Sequence, residues 1–121
     1  MKSEEIDWEA EALRIMRLAK DADAMFFGED RCRKMAPMWG RIFAASGETP
    51  KSLRYGVERY YTHATGDARP KPGDIVHQAR LNRQEWLQTP KGREWAEKER
   101  LKAQRERDEA LKNGTWRPHG I

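Results

Sequence analysis

Apolar residues recur along the chain at the spacing of one face of a helix, and no segment alternates apolar and polar residues for long. This pattern predicts an all-α fold. A first helix is predicted from about Asp7 to Lys20, and a second from about Asp30 to Ser46. Their apolar faces carry Trp8, Ala12, Ile15, Met16 and Ala19 in the first helix, and Met35, Trp39, Ile42 and Phe43 in the second.

Several residues in and around the second helix interrupt the helical pattern. Phe26 and Phe27 lie in the segment before it and are expected to fill the gap between the two helices. Pro37 lies inside the helix and lacks a backbone N–H, so we expect either a kink or a short separate first piece. Gly47 is expected to end the helix.

The third helix has the clearest start. The Thr49 side chain can accept from the free amides there, and Pro50 suits the first helical position, where a missing N–H costs nothing. The apolar face of this helix carries Leu53, Val57, Tyr60, Tyr61 and Ala64.

A proline-rich loop from about Thr65 to Lys71 leads into a fourth helix, which is predicted to open at Pro72 or Gly73. Asp74 then lies near the positive end of the helix, where a carboxylate is favourable. The inner side of this helix is predicted to carry Ile75, Ala79 and Trp86.

Thr89 and Pro90 repeat the same start and predict a last helix to about Lys112. Its apolar residues are scattered among charges, so it is either solvated or covered by a partner. We therefore expect a small bundle of four core helices in residues 1–87, plus a long charged C-terminal helical arm and tail in residues 88–121. Exposed apolar side chains on a polar helix contribute the most binding free energy when a partner protein covers them. The predicted partner contacts are Trp95, Leu101, Leu111 and Trp116.

Composition narrows the class of protein. The 121 residues are 37% hydrophobic and 36% charged, which predicts one small core and a large polar surface. The N-terminal segment lacks the apolar stretch of a signal peptide, and no apolar run is long enough to span a membrane. The single cysteine, Cys32, has no partner for an internal disulfide. A cytoplasmic protein without membrane contact is expected.

No pattern of catalytic or metal-binding residues emerges from the sequence. His63, His77 and His119 have no second histidine or cysteine at metal-ligand spacing, and Cys32 has no neighbouring base. The glycines form no phosphate-binding loop. We therefore expect neither enzymatic activity nor a cofactor.

The net charge of +4 comes entirely from residues 65–121, because residues 1–64 carry 11 basic and 11 acidic side chains. Most of the excess lies in residues 65–93, with six basic and three acidic side chains. This region could contact nucleic acid as a secondary partner. The candidate contacts are Arg69, Lys71, Arg80 and Arg83.

The order of several residues resembles the small helicase loader/inhibitor proteins of phage replication, whose folded part is an all-helical N-terminal domain. The similarity covers roughly residues 8–84. It is carried by Trp39 in the second helix, by "VERYY" in the third, and by the proline-rich entry to the fourth. The residues concerned are Trp39, Val57, Tyr60, Tyr61, Pro70, Pro72, Asp74 and Ile75.

The resemblance implies a non-enzymatic protein that binds the replicative hexameric helicase, restrains or loads it, and acts with an origin-binding initiator as a second partner. In that family the C-terminal region engages the helicase, and it corresponds here to residues from about Gln88 to Ile121. The competing hypothesis is a small basic nucleic-acid-binding accessory or regulatory protein that uses the stretch from Arg69 to Arg93. A plain interaction scaffold is a third hypothesis.

Overall fold

The computed structural model describes residues 5–63 and 69–114. Within these ranges the chain forms five α-helices and no strand, which confirms the predicted all-α fold. Each helix begins at or beside its predicted start. The helices are α1 (Trp8–Ala22), α2 (Glu29–Ser46), α3 (Pro50–His63), α4 (Pro72–Leu87) and α5 (Pro90–Lys112).

Side-chain caps account for the positions at which the helices start. The Asp7 carboxylate accepts from the amide of Ala10 at 3.1 Å, and the Thr49 hydroxyl accepts from the amide of Ser52 at 3.1 Å. Each bond satisfies an amide that has no partner within its own helix. At α4 the Asp74 carboxylate accepts from the backbone N–H of Lys71 at 2.9 Å and so closes the loop before the helix.

Helix α2 runs from Glu29 to Ser46 without a break, and Pro37 lies inside it. The proline therefore does not split off a separate first piece. Gly47 ends the helix in the left-handed region, with a φ of 80°, as its position predicts.

The core lies among the first four helices and the α1–α2 connection. Ile42, which the sequence places on the buried face of α2, is instead 39% exposed. The buried stripe of α2 runs along Cys32, Ala36, Trp39 and Phe43, and Ile42 falls to one side of it. The buried apolar residues are Ala12, Ile15, Met16, Ala19, Phe26, Cys32, Ala36, Trp39, Phe43, Leu53, Val57, Ile75, Val76 and Ala79.

Helices α3 and α4 approach each other closely at Gly56. A Cβ atom at this position would lie 2.5 Å from the carbonyl oxygen of Ile75 and 3.0 Å from the amide nitrogen of Ala79. Only glycine fits so near another backbone. This contact fixes where α4 lies against α3.

The chain divides into two compact units, Met1–Arg83 and Gln84–Ile121, with the boundary inside α4. We call them the N-terminal unit and the C-terminal unit. The core residues all belong to the N-terminal unit. Among the described residues of the C-terminal unit, Gly92 alone is buried.

Candidate binding surfaces

A tight corner joins the end of α4 to the start of α5 within the C-terminal unit. The hydroxyl of Thr89 donates to the carbonyl oxygen of Trp86 at 2.5 Å and accepts from the amide of Gly92 at 3.0 Å. Pro90 follows at the first position of α5. These local contacts set the direction in which the chain turns.

Gly92 allows the two helix ends to meet at this corner. A Cβ atom at Gly92 would overlap the carbonyl oxygen of Trp86 and lie 2.7 Å from the Cα of Leu87. Both of these are backbone atoms, which cannot move aside as the tip of a flexible side chain can. The corner therefore requires a glycine at this position.

The corner brings Trp86 and Trp95 together. Their ring centroids lie 5.7 Å apart at an interplanar angle of 61°, an edge-to-face arrangement. Both rings remain open to solvent, with Trp86 42% and Trp95 50% exposed. The prediction that Trp86 lies on the inner side of α4 is wrong, because its ring is substantially exposed and packs edge-to-face against Trp95 of α5.

The structure does not gather the other predicted contacts into one stripe. Leu101 and Leu111 are about half exposed on α5. At roughly 100° and 1.5 Å per residue, Leu101 lies about 120° around the helix from Trp95 and about 9 Å along it. Leu111 lies about 15 Å further along and about 80° further around. Trp116 lies outside the described residues.

Some charged side chains of α5 pair with one another along the helix. Lys98 lies 3.3 Å from Glu94, and Arg100 pairs with Glu97 at 2.5 Å. The hydrogen bond from Arg100 lowers the pKa of the Glu97 carboxyl from its usual value. The exposed apolar residues of α5 therefore lie among charges of both signs, eight basic and six acidic side chains in residues 90–112.

Two of the candidate nucleic-acid contacts are engaged within the N-terminal unit. Arg83 lies 3.0 Å and Arg80 3.7 Å from the carboxylate of Glu48, and Arg80 also donates to the carbonyl oxygen of Ser46 at 3.0 Å. Glu48 is only 4% exposed. Arg80 and Arg83 thus tie α4 to the turn between α2 and α3.

The other two candidates, Arg69 and Lys71, line a groove beside the start of α4. We call it the Phe27 groove. Its volume is about 440 Å³, and it is lined by Phe27, Met35, Trp39, Arg69, Pro70, Lys71 and Pro72.

Cys32 and two of the three histidines lie within the described ranges. No group of three or more His, Cys, Asp or Glu side chains there could hold a metal ion. Cys32 is buried and its thiol donates to the carbonyl oxygen of Phe27 at 3.4 Å. Burial raises the pKa of this thiol, which disfavours the reactive thiolate. His63 and His77 are exposed, and His119 lies outside the described residues.

Sequence reasoning missed three features of these surfaces, namely the exposed Trp86, the buried Glu48 and the groove around Phe27. The sequence near Trp86 does indicate a tight corner, because the end of α4 is followed directly by Thr89, Pro90 and Gly92. No local sequence pattern indicates the buried Glu48 or the groove, since the arginines that pair with Glu48 and the Arg69 guanidinium beside Phe27 lie far away along the chain.

Within the part of the chain that the structure describes, no helix is sufficiently long and apolar to cross a membrane. Comparison with protein-family models, with curated proteins and with solved structures found no match to this chain.

Proposed function

We propose that the protein is a non-enzymatic accessory protein of phage DNA replication that binds the replicative hexameric helicase and restrains or loads it. The observation that carries this proposal is the half-exposed Trp86–Trp95 pair at a corner fixed by hydrogen bonds. The identity of the partner rests on the resemblance between residues 8–84 and the phage loader/inhibitor proteins.

The chemistry of this surface favours a protein partner. Tryptophan is the residue type most enriched among the side chains that dominate protein interfaces. If a partner covered the roughly 100 Å² that each ring exposes, the hydrophobic gain would be about 2.5 kcal/mol per ring. Holding the rings in place beforehand also reduces the entropy lost on binding.

The alternative is a small basic protein that binds nucleic acid through the stretch from Arg69 to Arg93. That function needs cations free to replace the counterions of phosphates. Arg80 and Arg83 instead neutralise a buried carboxylate of their own chain. This observation removes two of the four candidate phosphate contacts and leaves Arg69 and Lys71 for the alternative.

The proposal is tested by mixing the purified protein with a phage or host replicative helicase and measuring co-elution at low and high ionic strength. We expect a complex that persists at high salt, because apolar contacts are not screened. Trp95→Ala is expected to weaken it by about tenfold or more, the loss typical of a dominant interface residue. Leu101→Asp changes neither tryptophan and, as a predicted contact on a different side of α5, is expected to weaken binding less than Trp95→Ala.

Met25→Ala is the matched control, because Met25 is an exposed apolar residue of the N-terminal unit and this variant should bind like the original protein. Loss of the complex at high salt, together with tight binding to DNA that weakens steeply as salt rises, would instead establish the nucleic-acid alternative.

A further inference from the structure

The Phe27 groove combines an apolar floor with a basic rim. The aromatic and aliphatic part comes from the α1–α2 connection and α2, and Pro70 and Pro72 of the α4 entry also line the groove. Its volume of about 440 Å³ lies within the roughly 300–1,000 Å³ of pockets that hold small ligands or side chains. One or two apolar side chains of a partner would fill it.

Two guanidinium groups lie against the Phe27 ring, that of Arg69, which lines the groove, and that of Arg31, which lies next to it. The guanidinium of Arg69 lies 4.3 Å from the centroid of the Phe27 ring, and that of Arg31 lies 5.2 Å from it. A guanidinium near an aromatic ring still carries N–H donors in the fork geometry that matches a carboxylate. The ring thus holds both arginines ready to bind an anion.

These cations have no counter-charge of their own among the described residues. No described carboxylate lies within 4.0 Å of the charged groups of Arg31, Arg69 or Lys71. The nearby Asp74 carboxylate accepts from the backbone N–H of Lys71. The rim therefore complements a negatively charged ligand.

The aromatic residues are poorly placed to stack with nucleic acid bases. Arg69 already covers the Phe27 ring, and Trp39 is almost completely buried, with edge-to-face contacts to Phe26 and Phe43. Binding of single strands relies on open aromatic faces on which successive bases stack. The floor instead accepts an aliphatic or aromatic side chain, as at a protein interface.

We propose that the Phe27 groove binds an acidic peptide segment of a partner protein. One bulky apolar side chain of the peptide enters between Phe27, Met35 and the prolines. Asp or Glu residues on either side of it pair with Arg31, Arg69 and Lys71. This site belongs to the N-terminal unit and does not rest on the helicase proposal.

The test uses the full-length protein and two sets of short labelled synthetic peptides. In one set a single Leu, Phe or Trp is flanked by Asp and Glu, and in the other the same residue is flanked by Lys. Fluorescence anisotropy measures affinity, and NMR follows the Met35 methyl group and the Trp39 indole N–H. We expect the acidic set alone to bind and to shift both signals.

Substitutions distinguish peptide binding in the groove from non-specific attraction of an acidic peptide to a basic protein. Arg69→Glu is expected to weaken peptide binding by about tenfold or more, since it removes a charge-assisted contact and adds repulsion. Arg69→Lys keeps the charge but loses the guanidinium fork and is expected to weaken binding less. Lys51→Glu makes the same change of charge at an exposed position of α3 and should leave binding unchanged.

Thermal unfolding verifies that each variant is folded. The proposal is overturned if the acidic set does not bind more tightly than the basic set, or if Lys51→Glu weakens binding as much as Arg69→Glu. It is equally overturned if a labelled oligo(dT) strand shifts the Met35 and Trp39 signals while the acidic peptides do not, because the ligand would then be nucleic acid.

Discussion

Glu48 is a buried carboxylate at the turn between α2 and α3. It receives Arg83 at 3.0 Å and Arg80 at 3.7 Å, and the hydroxyl of Ser52 donates to it at 3.0 Å. A buried charge is tolerated only where such partners replace water. Both arginines are about half exposed, so the network joins the protein interior to its surface.

Glu48→Gln tests this network, because it keeps the size of the side chain and removes its charge. We expect the free energy of unfolding to fall by about 1.5–3 kcal/mol, the range for hydrogen bonds to charged groups. Urea denaturation followed by circular dichroism measures the change. Glu58→Gln, at an exposed position of α3, is the control and should stay within about 0.5 kcal/mol of the original protein. Equal midpoints for the two variants would contradict a stabilising role for Glu48.

At the scale of secondary-structure elements, the corner between α4 and α5 decides how the two tryptophans are presented. Thr89 supplies the hydrogen bonds and Gly92 the space for the backbone. Neither residue contributes an exposed apolar surface itself. Their role is to place Trp86 and Trp95 next to each other.

Gly92→Ala is expected to open this corner, because the new Cβ atom would overlap the carbonyl oxygen of Trp86. The near-ultraviolet circular dichroism of the tryptophans should change, while the helical signal should persist, since alanine is the better helix former. Gly73→Ala, in α4, is the control, because no atom lies within 4 Å of its added Cβ. An unchanged tryptophan signal in Gly92→Ala would show that the corner does not depend on this contact.

At the scale of the whole molecule, burial differs strongly between the two units. Among the residues that the structure describes, the large fully buried side chains all belong to the N-terminal unit, for example Phe43, Ile15 and Leu53. Helix α5 buries only Gly92. Its 23 residues therefore gain little from tertiary packing and depend on helix-internal contacts.

Amide hydrogen exchange should reveal this difference. Local opening needs less free energy where few apolar side chains are buried. We expect amides in the middle of α5, near Leu101, to exchange at least roughly tenfold faster than those of Ile15 and Leu53, relative to their intrinsic rates. Mass spectrometry of peptides from both units measures the rates. Equal protection in α5 and in the core helices would contradict the expectation.

The all-α fold and the helix starts could be predicted from the sequence because both depend on neighbours along the chain. Thr49 caps an amide only three residues away, and Pro90 fits a helix start regardless of tertiary structure. The helical spacing of the apolar residues also predicted most of the core, including Ile15, Phe43 and Leu53. The prediction was wrong at Ile42. The neighbouring helices cover the side of α2 that carries Cys32 and Ala36, and Ile42 lies outside that side.

Among the predicted contacts, the sequence identified Trp95 and Leu101 as apolar residues in a charged helix, and both are exposed. Only the tertiary structure paired Trp95 with Trp86, bound Arg83 to Glu48, and placed Arg69 over Phe27. The last two contacts join residues more than thirty positions apart. Spacing along a helix carries no information about such contacts, because they depend on how separate helices pack.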